Sequence, residues 1–221
     1  MKKQCYFCSQ DATSVEHAPA KSFFPKNLRT NLITVDSCPT HNELTSLDDE
    51  YVRNIIAMSI GNNKVAYDHF LDKCVRSFQH SPKLLNAITS VWKRIWIKPG
   101  NVIIPTLAFQ IDRVRFDRVM MKIAYAIFFH TFRIPWNREL IVMTEYLRNP
   151  DMTPDEYGTL IQSFKPLIGL HTYNGTNPQV FQFKFMQTES NDINDQLLRM
   201  IFYEAFEVWI SILNGSNGPK L

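Results

Sequence analysis

The sequence predicts an α+β protein, in which a small zinc-stapled ββα module at the N-terminus precedes a mixed domain of helices and an antiparallel sheet. Three observations lead to this prediction. Cys5, Cys8 and Cys38 place most of the cysteines near the N-terminus, as a metal-stapled module requires. Residues 113–133 carry apolar side chains at helical spacing, and residues 180–187 alternate apolar and polar side chains as a strand does.

The composition is that of a globular chain. Of 221 residues, 45% are hydrophobic and 20% are charged, which argues against the disordered and collagen-like classes. The longest apolar run, residues 123–129, is much shorter than the ~20 residues of a spanning helix, and the first residues lack the ~7–15 apolar residues typical of a signal peptide. We therefore expect a cytoplasmic protein without a membrane partner. The net charge of +3 is compatible with a nucleic-acid partner but does not identify one.

Residues 1–60 are predicted to form the module, and residues 61–221 an α+β accessory domain whose role the sequence does not assign. Within the module, the β-branched run at residues 31–35 predicts a strand. Residues 40–60 carry apolar side chains every three to four positions, which predicts a helix. The segment has few large apolar side chains, so it needs zinc, contacts with the rest of the chain, or both to fold.

The accessory domain is predicted to begin with helices and end with strands. Periodicity predicts helices at residues 68–78, 82–97, 113–133 and 153–164, and strands at residues 102–111 and 180–187. Residues 197–203 and 206–213 fit either one amphipathic helix or two strands. We favour strands, because they would complete an antiparallel sheet with residues 180–187.

Cys5, Cys8, Cys38 and His41 have the spacing of a structural zinc site. They form two knuckles, Cys-x-x-Cys and Cys-x-x-His, and zinc accepts thiolates and imidazole in a tetrahedron. The clustering favours metal over disulfides in a reducing compartment, and a redox pair would need a βαβ context that the sequence lacks. His17 is the alternative fourth ligand.

Between and after the knuckles lie side chains suited to phosphodiester hydrolysis. Glu16 precedes His17, and Asn42 follows the second knuckle directly. An imidazole near neutral pKa is a general base, while carboxylate and amide oxygens suit Mg²⁺ or Mn²⁺. Taken alone, Asn42 also fits a helix N-cap, and His17 a loop histidine bonded to backbone.

The order of these elements resembles the zinc-knuckle branch of the HNH, or ββα-metal, endonuclease family. That pattern is Cys-x-x-Cys, Asp-His-x-x-Pro, Asn-Leu and Cys-x-x-Cys-Asn, and residues 5 to about 50 follow it with Glu16 in place of Asp and His41 in place of the last Cys. By this resemblance His17 is the general base, Asn31 holds the loop and orients that base, and Asn42 and Glu16 bind catalytic Mg²⁺ or Mn²⁺.

The resemblance implies a single-metal endonuclease that hydrolyses DNA, with RNA not excluded. Such proteins are common in prokaryotic mobile elements and antiviral defence, and a double-strand break would require a homodimer, a second visit or a larger protein partner. Two alternatives stay open. One is a zinc-dependent nucleic-acid-binding module without catalysis, and the other a nuclease subunit active only with a partner.

Two sets of basic side chains are candidate phosphate-binding surfaces. Lys21, Lys26 and Arg29 lie in the loop after His17, which the resemblance places beside the scissile phosphate, so we favour this loop as the nucleic-acid-binding surface. A second set forms a stripe on the helix at residues 113–133, where we expect a solvated face: Arg115, Arg118 and Lys122. The acidic run at residues 48–50 is likewise expected to be solvated. The remaining histidines share no spacing and are predicted to be structural: His69, His80, His130 and His171.

Overall fold

The computed structural model describes residues 3–8, 10–42, 45–97, 101–144, 153–164, 166, 172–187 and 192–217. It has the predicted α+β character, with helices packed beside antiparallel sheets. The helices are α1 (Pro39–Asn42), α2 (Ser46–Ala57), α3 (Lys64–His69), α4 (Val75–His80), α5 (Pro82–Thr89), α6 (Arg113–Phe132) and α7 (Pro154–Phe164). The strands are β1 (Ser14–His17), β2 (Thr34–Ser37), β3 (Trp92–Ile97), β4 (Ile104–Phe109), β5 (Arg138–Met143), β6 (Asn174–Asn177), β7 (Phe181–Gln187), β8 (Gln196–Phe202) and β9 (Phe206–Asn217).

The N-terminal segment forms a hairpin followed by two helices. Strands β1 and β2 pair antiparallel, with His17 opposite Thr34 and Ser14 opposite Ser37. The second strand begins later than the predicted 31–35, because Asn31 takes a left-handed conformation with φ of 53°. The predicted helix at residues 40–60 is present as α1 and α2.

A five-stranded antiparallel sheet, ordered β5-β9-β8-β7-β6, forms the body of the C-terminal part. The strand interpretation of residues 197–203 and 206–213 is confirmed by β8 and β9, which pair with each other and with their neighbours in that sheet. Helix α6 closely matches the predicted 113–133. Asp112 caps its N-terminus by accepting a hydrogen bond from the backbone N–H of Arg115 at 3.1 Å.

The prediction of one helix over residues 82–97 is wrong in its second half. Helix α5 ends at Thr89, and residues 92–97 pair with residues 104–109 as a separate two-stranded antiparallel sheet. Trp92, Ile95 and Trp96 fit helical spacing, but their aromatic and β-branched character favours a strand. The predicted helix at 68–78 is divided into α3, a π-helical segment at Phe70–Cys74, and α4.

The N-terminal 60 residues share a hydrophobic core with the rest of the chain. Helix α2 packs on α6. The Tyr203 hydroxyl donates to the Phe23 carbonyl at 2.6 Å, and the Phe23 ring contacts Phe202 with centroids 5.7 Å apart. Folding of the N-terminal segment therefore draws on apolar contacts from beyond residue 60.

Among the helices that the structure describes, none combines the length and apolar character needed to cross a membrane.

Candidate metal centre and adjoining site

Cys5, Cys8, Cys38 and His41 are brought together as the spacing predicted. Their ligand atoms all lie within 4.8 Å of one another. The His41 Nδ1 atom lies 3.2 Å from Cys38 Sγ and 3.6 Å from the other two sulfurs. A zinc tetrahedron with bonds of ~2.0–2.3 Å has edges of roughly 3.3–3.8 Å, so the cluster is close to the right size. These residues are positioned to bind a metal ion, and the ligand set is compatible with zinc.

Local structure prepares the Cys5 thiol for this role, whereas burial raises the pKa of the Cys8 thiol to about 11. Burial acts to raise the pKa of Cys5, but backbone hydrogen bonds from Phe7, Cys38 and Cys8 lower it below its ordinary value. These hydrogen bonds stabilise the thiolate, the form that binds metal. The Phe7 ring packs on His41, with centroids 4.6 Å apart, and on Tyr125 of α6, with centroids 5.0 Å apart. Residues of the first knuckle thus attach the metal centre to the C-terminal part of the fold.

His17 lies at the end of β1 and is not part of this cluster, so the alternative of His17 as fourth ligand is not adopted in the structure. Its half-buried ring has no hydrogen-bond partner among the described residues. Burial lowers the pKa of His17 below its ordinary value, and the nearby positive charge of Lys21 lowers it further. The imidazole is therefore neutral at pH 7, with a nitrogen lone pair available to accept a proton.

Asn42, the last residue of α1, lies against β1. Its amide nitrogen donates to Ser14 Oγ at 2.9 Å and to the Val15 carbonyl at 3.3 Å. Because the nitrogen makes both bonds, the orientation of the amide is set, and Oδ1 accepts no hydrogen bond within the described part of the chain. That oxygen is a neutral donor suited to a hard cation.

Asn31 lies in the loop before β2, and its side chain is exposed. Its left-handed backbone is a conformation that asparagine tolerates better than most residues. The Asn31 carbonyl accepts a hydrogen bond from Thr176 Oγ1 at 3.0 Å, and the Thr30 carbonyl accepts one from Asn177 Nδ2 at 3.3 Å. These bonds tie the loop to β6 of the large sheet.

Glu16 is placed differently from His17. Neighbouring side chains of a strand point to opposite faces, and Glu16 points inward with only 3% of the residue exposed. Its Oε1 lies 3.4 Å from the Lys122 ammonium, which also lies 2.7 Å from Asp49 Oδ2. Burial raises the pKa of Glu16 to about 7, although Lys122 opposes this rise. We call Glu16, Asp49 and Lys122 the buried charge cluster.

The expectation of solvated faces for the basic stripe on α6 and for the acidic run at 48–50 is wrong for Lys122 and Asp49, whereas Arg118 is exposed as expected. Lys122 and Asp49 are buried. Asp48 accepts hydrogen bonds from Arg115 Nε at 2.6 Å and Arg118 Nη1 at 3.1 Å. The sequence feature that underlies these ion pairs is a set of opposite charges at helical spacing on α2 and α6. The charge pattern of either helix alone does not reveal that the two helices pair.

The loop between the hairpin strands carries the predicted basic residues. Lys21 and Lys26 are exposed, each at the start of a short 3-10 turn. Arg29 is half-buried, and its Nε donates to the Phe24 carbonyl at 2.9 Å. The loop is anchored by His69, whose Nε2 bonds the Ser22 carbonyl at 3.0 Å. His69 is buried, as a structural histidine should be, whereas His171 lies outside the described residues.

Comparison of this chain with known protein families, with curated proteins and with solved structures found no match. The resemblance to HNH endonucleases therefore depends on the motif residues themselves.

Proposed function

We propose that the chain is a metal-dependent endonuclease that hydrolyses the phosphodiester bonds of DNA. The observation that carries this proposal is the arrangement around β1. A neutral imidazole, that of His17, ends the strand without a hydrogen-bond partner in the described structure, and Asn42 is bonded to the start of the same strand with its amide oxygen uncommitted. The cluster of Cys5, Cys8, Cys38 and His41 holds together the two ends of residues 5–41, the segment that contains His17 and directly precedes Asn42.

In this proposal His17 acts as the general base. Its ring nitrogen accepts a proton from a water molecule, and the resulting hydroxide forms a bond to phosphorus while the bond from phosphorus to the 3′ oxygen breaks. The leaving oxygen takes a proton from solvent. Lys21, Lys26 and Arg29, in the loop that follows His17, bind the phosphates of the strand.

The oxygen donors near β1 are of the type that Mg²⁺ or Mn²⁺ prefers. Asn42 Oδ1 and Glu16 Oε2 both lack hydrogen-bond partners among the described residues, and the second is fully buried. Asn42 would hold the ion, whereas Glu16, on the inward face of β1, would join it only after leaving its contact with Lys122. When bound, it would supply positive charge to stabilise the leaving oxygen.

A supercoiled-plasmid nicking assay in millimolar Mg²⁺ tests the proposal. We expect nicking by the wild-type protein, and its loss in both His17→Ala and Asn42→Ala. Asn86→Ala, on the exposed surface of α5, is the matched control and should retain activity. Each variant is checked for zinc content, because a protein without zinc would be inactive for a structural reason. Equal activity in wild type and His17→Ala would refute the role of His17.

The position of Glu16 favours a second candidate, a module that binds nucleic acid without cutting it. Glu16 faces away from His17 and contacts Lys122 in the buried charge cluster. A carboxylate held in that cluster is poorly placed to bind a metal ion on the face of β1 that carries His17. DNA binding that falls with increasing salt, together with no nicking in Mg²⁺ or Mn²⁺, would select this candidate.

A further inference from the structure

A basic cleft of about 440 Å³ lies between the loop that follows His17 and the helical segment of residues 64–80. Lys26 and Arg29 line the loop side, and Lys73 and Arg76 line the helical side. One wall includes the π-helical segment Phe70–Cys74, a type of irregularity that is frequent at functional sites. The cleft is separate from the cysteine and histidine cluster.

The acidic side chains that line this cleft, Glu50 and Asp72, already bind neighbouring side chains. Glu50 accepts a hydrogen bond from Ser77 Oγ at 2.7 Å and contacts the Arg53 guanidinium at 3.4 Å. Asp72 pairs with Arg76 at 2.7 Å. Within the part of the chain that the structure describes, the three remaining cations of the lining form no ion pair, although the charge of Glu50 reaches Lys73: Lys26, Arg29 and Lys73.

Burial makes this surplus of positive charge costly. Arg53, only 1% exposed, lies beneath the cleft, and Lys73 is half-buried. Burial lowers the pKa of Lys73, the guanidinium groups of Arg53 and Arg29 lower it further, and the carboxylate of Glu50 opposes this fall only in part. Cations that are partly removed from water without counter-ions destabilise the protein until an anion neutralises them. Converging Lys and Arg side chains of this kind suit phosphate oxygens.

We propose that this cleft binds phosphate groups of a polynucleotide strand, and that Lys73 is a contact residue. The inference rests on the proposed nucleic-acid function, and it extends the binding surface from the loop after His17 to α3 and α4. A strand held in the cleft follows the same loop that carries Lys26 and Arg29, so phosphates beyond the scissile one are bound by the accessory part of the chain.

The test is fluorescence anisotropy with a labelled DNA duplex, zinc-loaded protein and no added Mg²⁺, at several salt concentrations. Lys73→Gln should weaken binding and reduce the slope of log K against log salt by about 0.9, the value for one phosphate contact. Lys73→Glu should weaken binding further. Lys93→Gln, exposed on β3, is the matched control and should bind as the wild type does. Zinc content and melting temperature confirm that each variant folds.

Unchanged affinity and slope in both Lys73 variants would overturn the inference. So would binding of inorganic pyrophosphate that depends on Lys73 while duplex binding does not, since the cleft would then take a small phosphate compound. The proposed nuclease activity is tested separately, by the nicking assay. Lys73-dependent binding without any nicking would leave the cleft assignment intact and refute only the endonuclease.

Discussion

Replacing Lys122 with methionine should destabilise the protein strongly. The Lys122 ammonium lies 2.7 Å from Asp49 Oδ2, 3.4 Å from Glu16 Oε1 and 2.9 Å from Thr45 Oγ1. Methionine fills much of the same volume but leaves two buried carboxylates without a counter-ion. Removing one partner of a buried ion pair costs about 3–5 kcal/mol. For a chain of this length, each kcal/mol lowers Tm by roughly 2–4 °C, so we expect a fall of about 6–20 °C.

Urea unfolding followed by circular dichroism measures this effect. Lys64→Met is the matched control, because Lys64 pairs with Asp68 on the exposed face of α3, where an ion pair is worth under about 1 kcal/mol. The triple variant that combines Lys122→Met with Glu16→Gln and Asp49→Asn should recover more than half of the loss, since no buried charge then lacks a partner. A Lys122→Met cost no larger than that of Lys64→Met would refute the reasoning, and so would a triple variant as unstable as the single one.

Three further predictions concern the metal, one histidine and two glycines. Wild-type protein should carry a single zinc ion by elemental analysis, and Cys38→Ser should lose it and melt at a lower temperature, because three ligands hold zinc far less well than four. Burial lowers the pKa of His69 to about 4. Between pH 6.5 and 4, His69 is therefore protonated in the unfolded chain but neutral in the folded one. About 3 kcal/mol of the free energy of unfolding, present above pH 6.5, is lost as pH falls toward 4. Urea unfolding across this range should show a shallower loss for His69→Asn, and parallel curves would contradict the assignment. Gly158→Ala, in open space on α7, should stabilise by about 0.5–1 kcal/mol, whereas Gly175→Ala should destabilise, because its φ is 141° and a Cβ would lie 2.6 Å from the Phe181 carbonyl oxygen. Thermal melts of the two variants should therefore shift in opposite directions.

The parts of the fold that sequence predicts well are those determined by local pattern. Spacing alone predicts that Cys5, Cys8, Cys38 and His41 lie together, because each knuckle offers two ligands and a tetrahedral zinc site takes four. Long apolar periodicity identifies α6, and strict alternation identifies β7. In each case the information lies within a few turns or residues of one element.

The parts that sequence does not predict are set by contacts between distant elements. The spacing of residues 92–97 fits a helix, but they form a strand whose partner lies at residues 104–109. Lys122 has the position of a surface residue in the α6 pattern, yet β1 and α2 supply Glu16 and Asp49 to bury it. The basic cleft is likewise formed by a loop and a helical segment that are separated along the chain. Periodicity describes one element at a time and carries no information on which faces meet.

These long-range contacts bear directly on the proposed activity. Lys122 belongs to the accessory part of the chain, but it contacts Glu16, which the family resemblance assigns to the catalytic metal. Tyr125, one turn further along α6, packs on Phe7 beside the zinc ligands. One helix therefore contacts both the metal-binding cluster and the carboxylate that the family resemblance assigns to the catalytic metal. Because residues 61–221 supply this helix, the site is not contained within residues 1–60, and any change that moves α6 relative to β1 should alter nicking without altering the zinc ligands themselves.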